Sequence, residues 1–331
     1  MDRQGAVARL RAAVERFWKE HLGATAGDGA RWCVGLSGGP DSLALTAVAA
    51  QLLPTTALIV DHGLQPGSAD VAETARVQAL SLGCVAARVL RVEVGPSSGT
   101  GGGPEAAART ARYAALESGR DGPVLLAHTL DDQAETVLLG LGRGSGARSM
   151  AGMRPYDPPW CRPLLGVRRS VTHDACRELG LTAWQDPHNS DPRFTRTRLR
   201  AEVLPLLEEV LGGGVAEALA RTATALREDN DFIDAIAAQA LSETMRGTGP
   251  DARLDVGSLA ALPDPVRRRV IRGWLLAGGA IGLTDKQIRG VDLLVTDWRG
   301  QGGVAVGSSL PGQRLFAGRR DGVLALRPEP I

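Results

Sequence analysis

Short apolar runs alternate with longer amphipathic stretches through roughly the first 140 residues. WCVGL (32–36), TALIVD (56–61), part of VAARVLRVEV (85–94) and PVLLAH (123–128) are apolar and too short for helices, which predicts buried strands. Between them, LALTAVAAQLL after the first run, residues 68–83, 104–119 and 131–141 carry helical patterning. Ser68 stands as a cap with Gly83 past the end, and Pro104 opens the helix that Gly119 stops. This alternation predicts an α/β fold, a parallel sheet with helices on both faces. Ligands of such sheets gather outside the carboxyl ends of the strands. Those ends carry Ser37, Asp61 with His62, and His128 with Thr129, so three loops are expected to meet at one crevice.

The alternation stops near 142. Residues 142–200 read as irregular and rich in Gly, Pro and Arg, and 95–104 as a flexible loop by composition. Helical patterning resumes over 198–211 and 213–246, then near 263–277 and 284–297, and the tail reads as short strands around turns. The LGGGV break divides the chain into residues 1–215 and a mostly helical 216–331 with short terminal strands.

Composition narrows the class. With 331 residues and 44% hydrophobic content the chain can bury a large core without disulfides or metals. No apolar run reaches the ~18 residues of a spanning helix, and the amphipathic N-terminus has no signal-peptide block, so a soluble cytoplasmic protein with no membrane partner is expected. Net charge is only +1, yet residues 141–200 hold 11 arginines against 5 acidic residues, a candidate anion or RNA surface. The four cysteines form no C-x-x-C pair, which argues against metal or cluster ligation.

The phrase GLSGGPDS (35–42) follows the first strand and opens a helix. Gly38 and Gly39 let backbone N–H groups approach an anion, Ser37 and Ser42 add hydroxyls, and the helix N-terminus favours phosphate. Asp41 suits a Mg²⁺ ligand bridging to phosphate oxygens. A Walker A loop would need a lysine that is missing, and the dinucleotide fingerprint does not fit. Gly35-Leu36-Ser37-Gly38-Gly39 does match the nucleophile elbow of hydrolases, with Asp157 and His173 or His188 as nominal partners. An elbow after the first strand is out of its usual order.

S-G-G-x-D-S after an N-terminal strand resembles the PP-loop of the N-type ATP pyrophosphatases. Within that group, residues 31–205 are similar to the tRNA(Ile)-lysidine synthetase family. The matching pieces are IVDHGL (59–64), EAAARTARY (105–113), LLAHTLDDQAETVLLGLGRGSG (125–146), GM (152–153), RPLL (162–165) and DPHNSDPRFTRTRLRAEVLPLL (186–207). Gln65, Ala107 and Thr197 depart from the family pattern. The resemblance implies a Rossmann-like PP-loop domain and a tRNA-binding second half. It also implies ATP as substrate with Mg²⁺, lysine as nucleophile, and a tRNA(Ile) with a CAU anticodon as partner. The C2 oxygen of cytidine 34 would attack the α phosphate, and the lysine amine would then displace AMP. A thiolase of the same superfamily is the alternative, against which the missing C-x-x-C counts. Amidotransferase-type synthesis would need a glutaminase domain for which the chain has no room. An RNA-binding module with a dead loop sits poorly with the intact SGGPDS.

For the site, the resemblance implies ATP contacts at Ser37, Gly38, Gly39, Pro40, Asp41, Ser42, Asp61, His62 and His128. Asp132 and Glu135, at i and i+3 on one helix face, would grip the amine; by spacing alone they read equally as first-turn acids, with Asp131 as a cap. Of Arg109 and Arg112, Arg112 is preferred for a substrate carboxylate or phosphate. Arg193, Arg196, Arg198 and Arg200 are expected on triphosphate or RNA. Arg143 and Arg148 flank the glycines of GRGSGAR, a loop suited to clamping RNA. Asp61 equally suits a turn, His128 a core position, and Arg267, Arg268 and Arg269 either a tRNA stem or a charged surface. A helical second half is of the kind that supplies homodimer contacts.

Overall fold

A computed structural model describes residues 5–23, 27, 29–63, 67–92, 104–144, 146–186, 191–247 and 252–330. The 95–103 loop, Gln65 and His188 lie outside them. The chain divides into two compact units, Met1–Gly144 with Ser149–Ala223, and Ser145–Arg148 with Thr224–Ile331.

In the first unit α1 (Ala6–His21) precedes β1 (Trp32–Gly35), α2 (Pro40–Leu52), β2 (Thr55–Asp61), α3 (Ser68–Ser81), β3 (Ala86–Arg91), α4 (Pro104–Gly119), β4 (Val124–Leu125) and α5 (Leu130–Arg143). The sheet runs β3-β2-β1-β4 and is parallel throughout that order. Alternate residues bury on opposite faces, as the period of a strand requires. Trp32 and Val34 join the large core of α1, α2 and α3, while Cys33 and Leu58 join Leu116 of α4 on the other side. After β3 the chain crosses back to lay β4 on the far side of β1. That reversal opens the crevice between β1 and β4 at the carboxyl edge.

Beyond α6 (Ala147–Met150), whose first two residues fall in the second unit and last two in the first, β5 (Tyr156–Asp157) and β6 (Trp160–Cys161) extend the sheet, β6 parallel to β4 and β5 antiparallel at the edge. α7 (Arg169–Glu178) then packs on α1 and α2. Residues 142–200 are therefore not simply irregular: they hold two strands and a ten-residue helix. The helix expected over 198–211 is α8 (Thr195–Arg198), a π-helical turn (Leu199–Val203) and α9 (Leu204–Val210). At α3 the residue before the helix is Gly67 in the left-handed region, φ 82°, so Ser68 is the first helical residue rather than the cap.

α10 (Val215–Thr244) belongs to both units. The remainder of the second unit is β7 (Met245–Arg246), β8 (Arg253–Asp255), α11 (Val256–Ala260), α12 (Asp264–Ala277), β9 (Ala280–Ile281), α13 (Asp285–Thr296), β10 (Val304–Ser308), β11 (Gln313–Arg320) and β12 (Val323–Pro330). Its antiparallel sheet, β7-β8-β12-β11-β10-β9, shares a core with the helices around Leu254, Leu259, Ile271 and Trp274. Helices fall where the periodicity places them, but β7, β8 and β9 are two or three residues long and leave no periodic trace.

Candidate active site

The loop between β1 and α2 is built for close approach. Gly38 has φ 83°, a conformation that a side chain disfavours. Pro40 occupies the first turn of α2, where its missing N–H costs nothing. The two hydroxyls face each other, Ser37 Oγ to Ser42 Oγ at 3.1 Å, and the Ser37 N–H donates to Ser42 Oγ at 3.2 Å. No hydrogen bond joins Ser37 to a histidine among the described residues, and Asp157 sits exposed on the edge strand β5. Among the described residues the elbow's triad is not assembled.

At the end of β2, Asp61 Oδ1 accepts from the Gly63 N–H at 3.0 Å. That bond, with the Ser68 hydroxyl, holds its carboxyl below the usual range. Asp61 is thus a turn former, at the mouth of the crevice. His62 beside it and His128 past β4 each bury an Nδ1 that has no hydrogen-bond partner among the described residues. Burial, then the nearby Arg112 guanidinium, push His62 down. Burial pushes His128 down to about 3, with Arg162, Arg112 and Arg109 contributing. Both imidazoles are neutral at ordinary pH, each with an unused polar nitrogen. Arg112 lies beside both, and no carboxylate pairs with it among the described residues; burial lowers even its pKa. Arg109, by contrast, lies over the Tyr113 ring at 4.9 Å and donates to its hydroxyl at 3.1 Å. Two neutral imidazoles around a desolvated, unpaired guanidinium form a receptor for an anionic group.

The acidic side starts from a helix cap. Thr129, not Asp131, caps α5: its Oγ accepts from the Asp132 N–H at 3.4 Å, and Asp132 Oδ2 accepts from the Thr129 N–H at 2.8 Å and hydroxyl at 2.7 Å. This reciprocal box fixes Asp132, and Glu135 follows one turn on, fully buried. Asp131 instead accepts from the Arg169 backbone N–H at 2.7 Å, which ties α7 to α5.

Arg169 is the residue the sequence reading missed. Its guanidinium places Nη2 2.6 Å from Asp132 Oδ1, Nη1 3.3 Å from Glu135 Oε1 and Nε 3.4 Å from Asp41 Oδ2. One cation thus joins the PP-loop carboxylate to the pair on α5. Burial raises Asp41, opposed by its hydrogen bond from the Thr172 hydroxyl and by Arg169. Burial also works against ionised Asp132, but Arg169 and the Thr129 donors outweigh it and hold that carboxyl below its ordinary value.

The arginine run divides. Arg200 Nε lies 2.9 Å from Glu135 Oε1 and Arg196 Nη1 3.7 Å from Oε2, four residues apart on one helical face. Arg198 turns to Glu202 at 2.8 Å and Arg193 to Asp191 at 2.6 Å, both within their own segment. Arg143 ends α5, exposed, with Gly142 inside that helix and Gly144 as its left-handed cap, φ 62°. Arg148 belongs to the second unit, where it pairs with Asp234. Arg267, Arg268 and Arg269 also pair within that unit, Arg267 buried between Asp264 and Asp292. All four cysteines are buried, and burial raises their thiols, Cys33, Cys84 and Cys176 to about 11 and Cys161 to about 12, leaving no reactive thiolate.

A PP-loop domain family matches residues 10–207, and a TilS substrate binding domain family matches residues 254–320. The tRNA(Ile)-lysidine synthase of Mycobacterium tuberculosis (strain ATCC 25618 / H37Rv) is 78% identical over 331 residues, the full length of both chains. That of Mycobacterium leprae is 72% identical, again over both full lengths. Among solved structures, the U34-tRNA thiolase from Methanococcus maripaludis with its 4Fe-4S cluster superposes with a TM-score of 0.52 at 17% identity, covering 67% of this chain and 80% of that one. At that identity the likeness speaks for the fold alone. Full-length identity to the curated relatives, with the PP-loop match over the unit that holds Asp41, Asp132 and Glu135, places this chain in the tRNA(Ile)-lysidine synthase family.

Proposed function

We propose that the chain ligates lysine to C2 of cytidine 34 in the CAU anticodon of tRNA(Ile), consuming ATP and releasing AMP and pyrophosphate. The observation that carries the reading is the pairing of an anion receptor with a carboxylate pair around His128. A phosphate cradle, Ser37 to Ser42, opens on the same crevice.

In the first step the C2 oxygen attacks the α phosphorus, an O–P bond forms and pyrophosphate leaves. Backbone N–H groups and hydroxyls of residues 37–42, with His62 and His128, bear the triphosphate. Mg²⁺ would neutralise charge on the triphosphate. Among the described residues no three His, Cys, Asp or Glu side chains are grouped to cage a metal. One carboxylate beside substrate phosphates is the donor set that Mg²⁺ favours, and Asp41 fits it.

In the second step the ε-amine attacks C2, a C–N bond forms and the C–O bond to AMP breaks. Arg112 takes the lysine α-carboxylate, and Asp132 with Glu135 holds the amine and receives the proton it sheds. Arg196 and Arg200 serve phosphate groups, with Arg143, Arg148 and Arg198 on the RNA. Residues 216–331 form the tRNA-binding domain, and the reaction takes place in the cytoplasm.

The test is incorporation of radiolabelled lysine into a tRNA(Ile) transcript with a CAU anticodon, with Asp132→Ala as control. Label that requires ATP and vanishes in the variant is expected. Pyrophosphate without label would move the nucleophile elsewhere.

A further inference from the structure

The carboxylates assigned to the amine are already engaged by arginines. Glu135 Oε1 takes Arg200 Nε at 2.9 Å and Arg169 Nη1 at 3.3 Å; Oε2 takes Arg200 Nη2 at 3.3 Å and Arg196 Nη1 at 3.7 Å. Asp132 Oδ2 is filled by Thr129, and Oδ1 meets Arg169 and, at 3.7 Å, Arg200. Asp41, Asp132 and Glu135 are balanced by Arg169, Arg196 and Arg200. An incoming ammonium meets no unbalanced negative charge, and three guanidiniums flank Glu135, unless one arginine leaves.

The surroundings decide which. Arg169 is 14% exposed and rises from α7, whose first N–H is held by Asp131. Arg196 and Arg200 are 39% and 36% exposed, on a segment that passes into a π-helical turn, and Arg196 reaches Glu135 only at 3.7 Å. Such turns mark places where a helix exchanges regularity for function. Through Arg169, the PP-loop carboxylate Asp41 is a single guanidinium away from the acids that Arg200 holds. A polyanion at the cradle therefore competes for the same cations. Glu135 is fully buried, so Arg200 cannot leave it uncompensated. The substrate ammonium supplies the replacement charge.

Resting on the assignment of Asp132 and Glu135 to the amine, we propose that Arg200, backed by Arg196, is a built-in occupant of the amine position. A bound polyphosphate draws these arginines off and opens the position to the lysine ammonium. The exchange makes polyanion and lysine bind synergistically, and it keeps the amine site closed in the resting enzyme.

Calorimetric titration of the full-length chain with lysine tests this, alone, with Mg²⁺ tripolyphosphate, and with an anticodon stem-loop RNA. Wild type should bind lysine about tenfold more tightly with at least one polyanion, and the effective one identifies the source of the phosphate. Arg200→Gln should bind lysine tightly without either, and polyanion should then add less than about threefold. Indifference of the wild type to both polyanions overturns the proposal. So does an enhancement that persists undiminished in Arg200→Gln, since direct attraction between the ligands would then explain it. Should Arg200→Gln fail to fold by circular dichroism, Arg196→Gln takes its place: it removes the backing cation and should show part of the same gain in lysine affinity without polyanion, and no gain would overturn the proposal. Glu135→Gln separates the two levels: it should lose lysine binding in every condition. Unchanged binding there would remove the amine assignment itself, whereas loss in Glu135→Gln without any polyanion effect would remove only the exchange.

Discussion

The Arg169 guanidinium bridges Asp132 at 2.6 Å and Asp41 at 3.4 Å, two carboxylates that come from different loops of the sheet edge. Asp41 opens α2 and Asp132 opens α5, so the cation holds together the two halves of the crevice. Replacing it with glutamine leaves Asp41, Asp132 and fully buried Glu135 facing one another. The expected loss is about 3 kcal/mol of stability, with lysine transfer reduced by orders of magnitude. Arg169→Lys restores the charge without the fork and should recover stability better than activity. Thermal denaturation beside the lysine-incorporation assay reads both quantities. Full activity in Arg169→Gln would make the bridge incidental.

Sequence patterning exposed the parts of this site that lie on long elements. Strand ends at Ser37, Asp61 and His128 follow from four apolar runs, and the i, i+3 spacing puts Asp132 and Glu135 on one face. What stayed hidden lies on short or unpatterned segments. α7 is a ten-residue helix inside a stretch dense in Gly, Pro and Arg, so Arg169 had no element to stand on. The pair Arg168-Arg169 opening a helix was the available signal. Two-residue strands such as β5 and β6 carry no period at all, and neither does the pairing choice that sends Arg198 to Glu202 but Arg200 to Glu135.

The capping box gives a smaller, cleaner expectation. Thr129 is buried, and it uses both its N–H and its hydroxyl to fix Asp132. Thr129→Ala should cost about 1 kcal/mol by chemical denaturation. Thr129→Ser, which keeps the hydroxyl, should recover most of it. Because the box also aims Asp132, Thr129→Ala should weaken lysine binding more than ATP binding. An equal effect on both would separate the cap from the amine site.

His128 makes stability depend on acid. Its imidazole ionises in the folded state only near 3, against an ordinary value of 6.5. Above 6.5 both states are neutral there and nothing is lost. Between 6.5 and about 3 the unfolded chain takes a proton that the folded chain refuses, so stability falls as pH falls, by up to about 1.4 kcal/mol per unit. His128→Gln should flatten the slope of unfolding free energy between pH 6.5 and 4. His62, depressed in the same direction, should leave a residual slope that a double variant removes. An unchanged slope in both variants would assign the acid sensitivity to carboxylates instead.

Gly140 tests packing rather than chemistry. It lies within α5, where alanine normally improves a helix. Here a Cβ would collide with the Ser149 carbonyl oxygen, a rigid backbone atom. Gly140→Ala should therefore destabilise by about 2 kcal/mol, against the sign of helix propensity. Gly142, three-dimensionally open, should follow propensity, so Gly142→Ala is expected to stabilise slightly. Parallel thermal melts of the two variants check the contrast, and shifts of the same sign would refute it.

Arg112 decides how the amino acid is held. Its guanidinium sits between two neutral imidazoles without a carboxylate partner among the described residues, so removing it exposes no buried acid. Arg112→Ala should thus fold normally. If Arg112 receives the α-carboxylate, KM for lysine rises on the order of 10–100-fold, the worth of a charge-assisted pair. KM for ATP should move little. Cadaverine, which is lysine without its carboxylate, supplies the decisive comparison. Wild type should prefer lysine strongly, and Arg112→Ala should treat the two amines nearly alike, since the group that distinguishes them has lost its partner. A rise in KM for ATP with the lysine preference intact would instead place phosphate on Arg112, and the lysine carboxylate would have to find its cation elsewhere in the crevice.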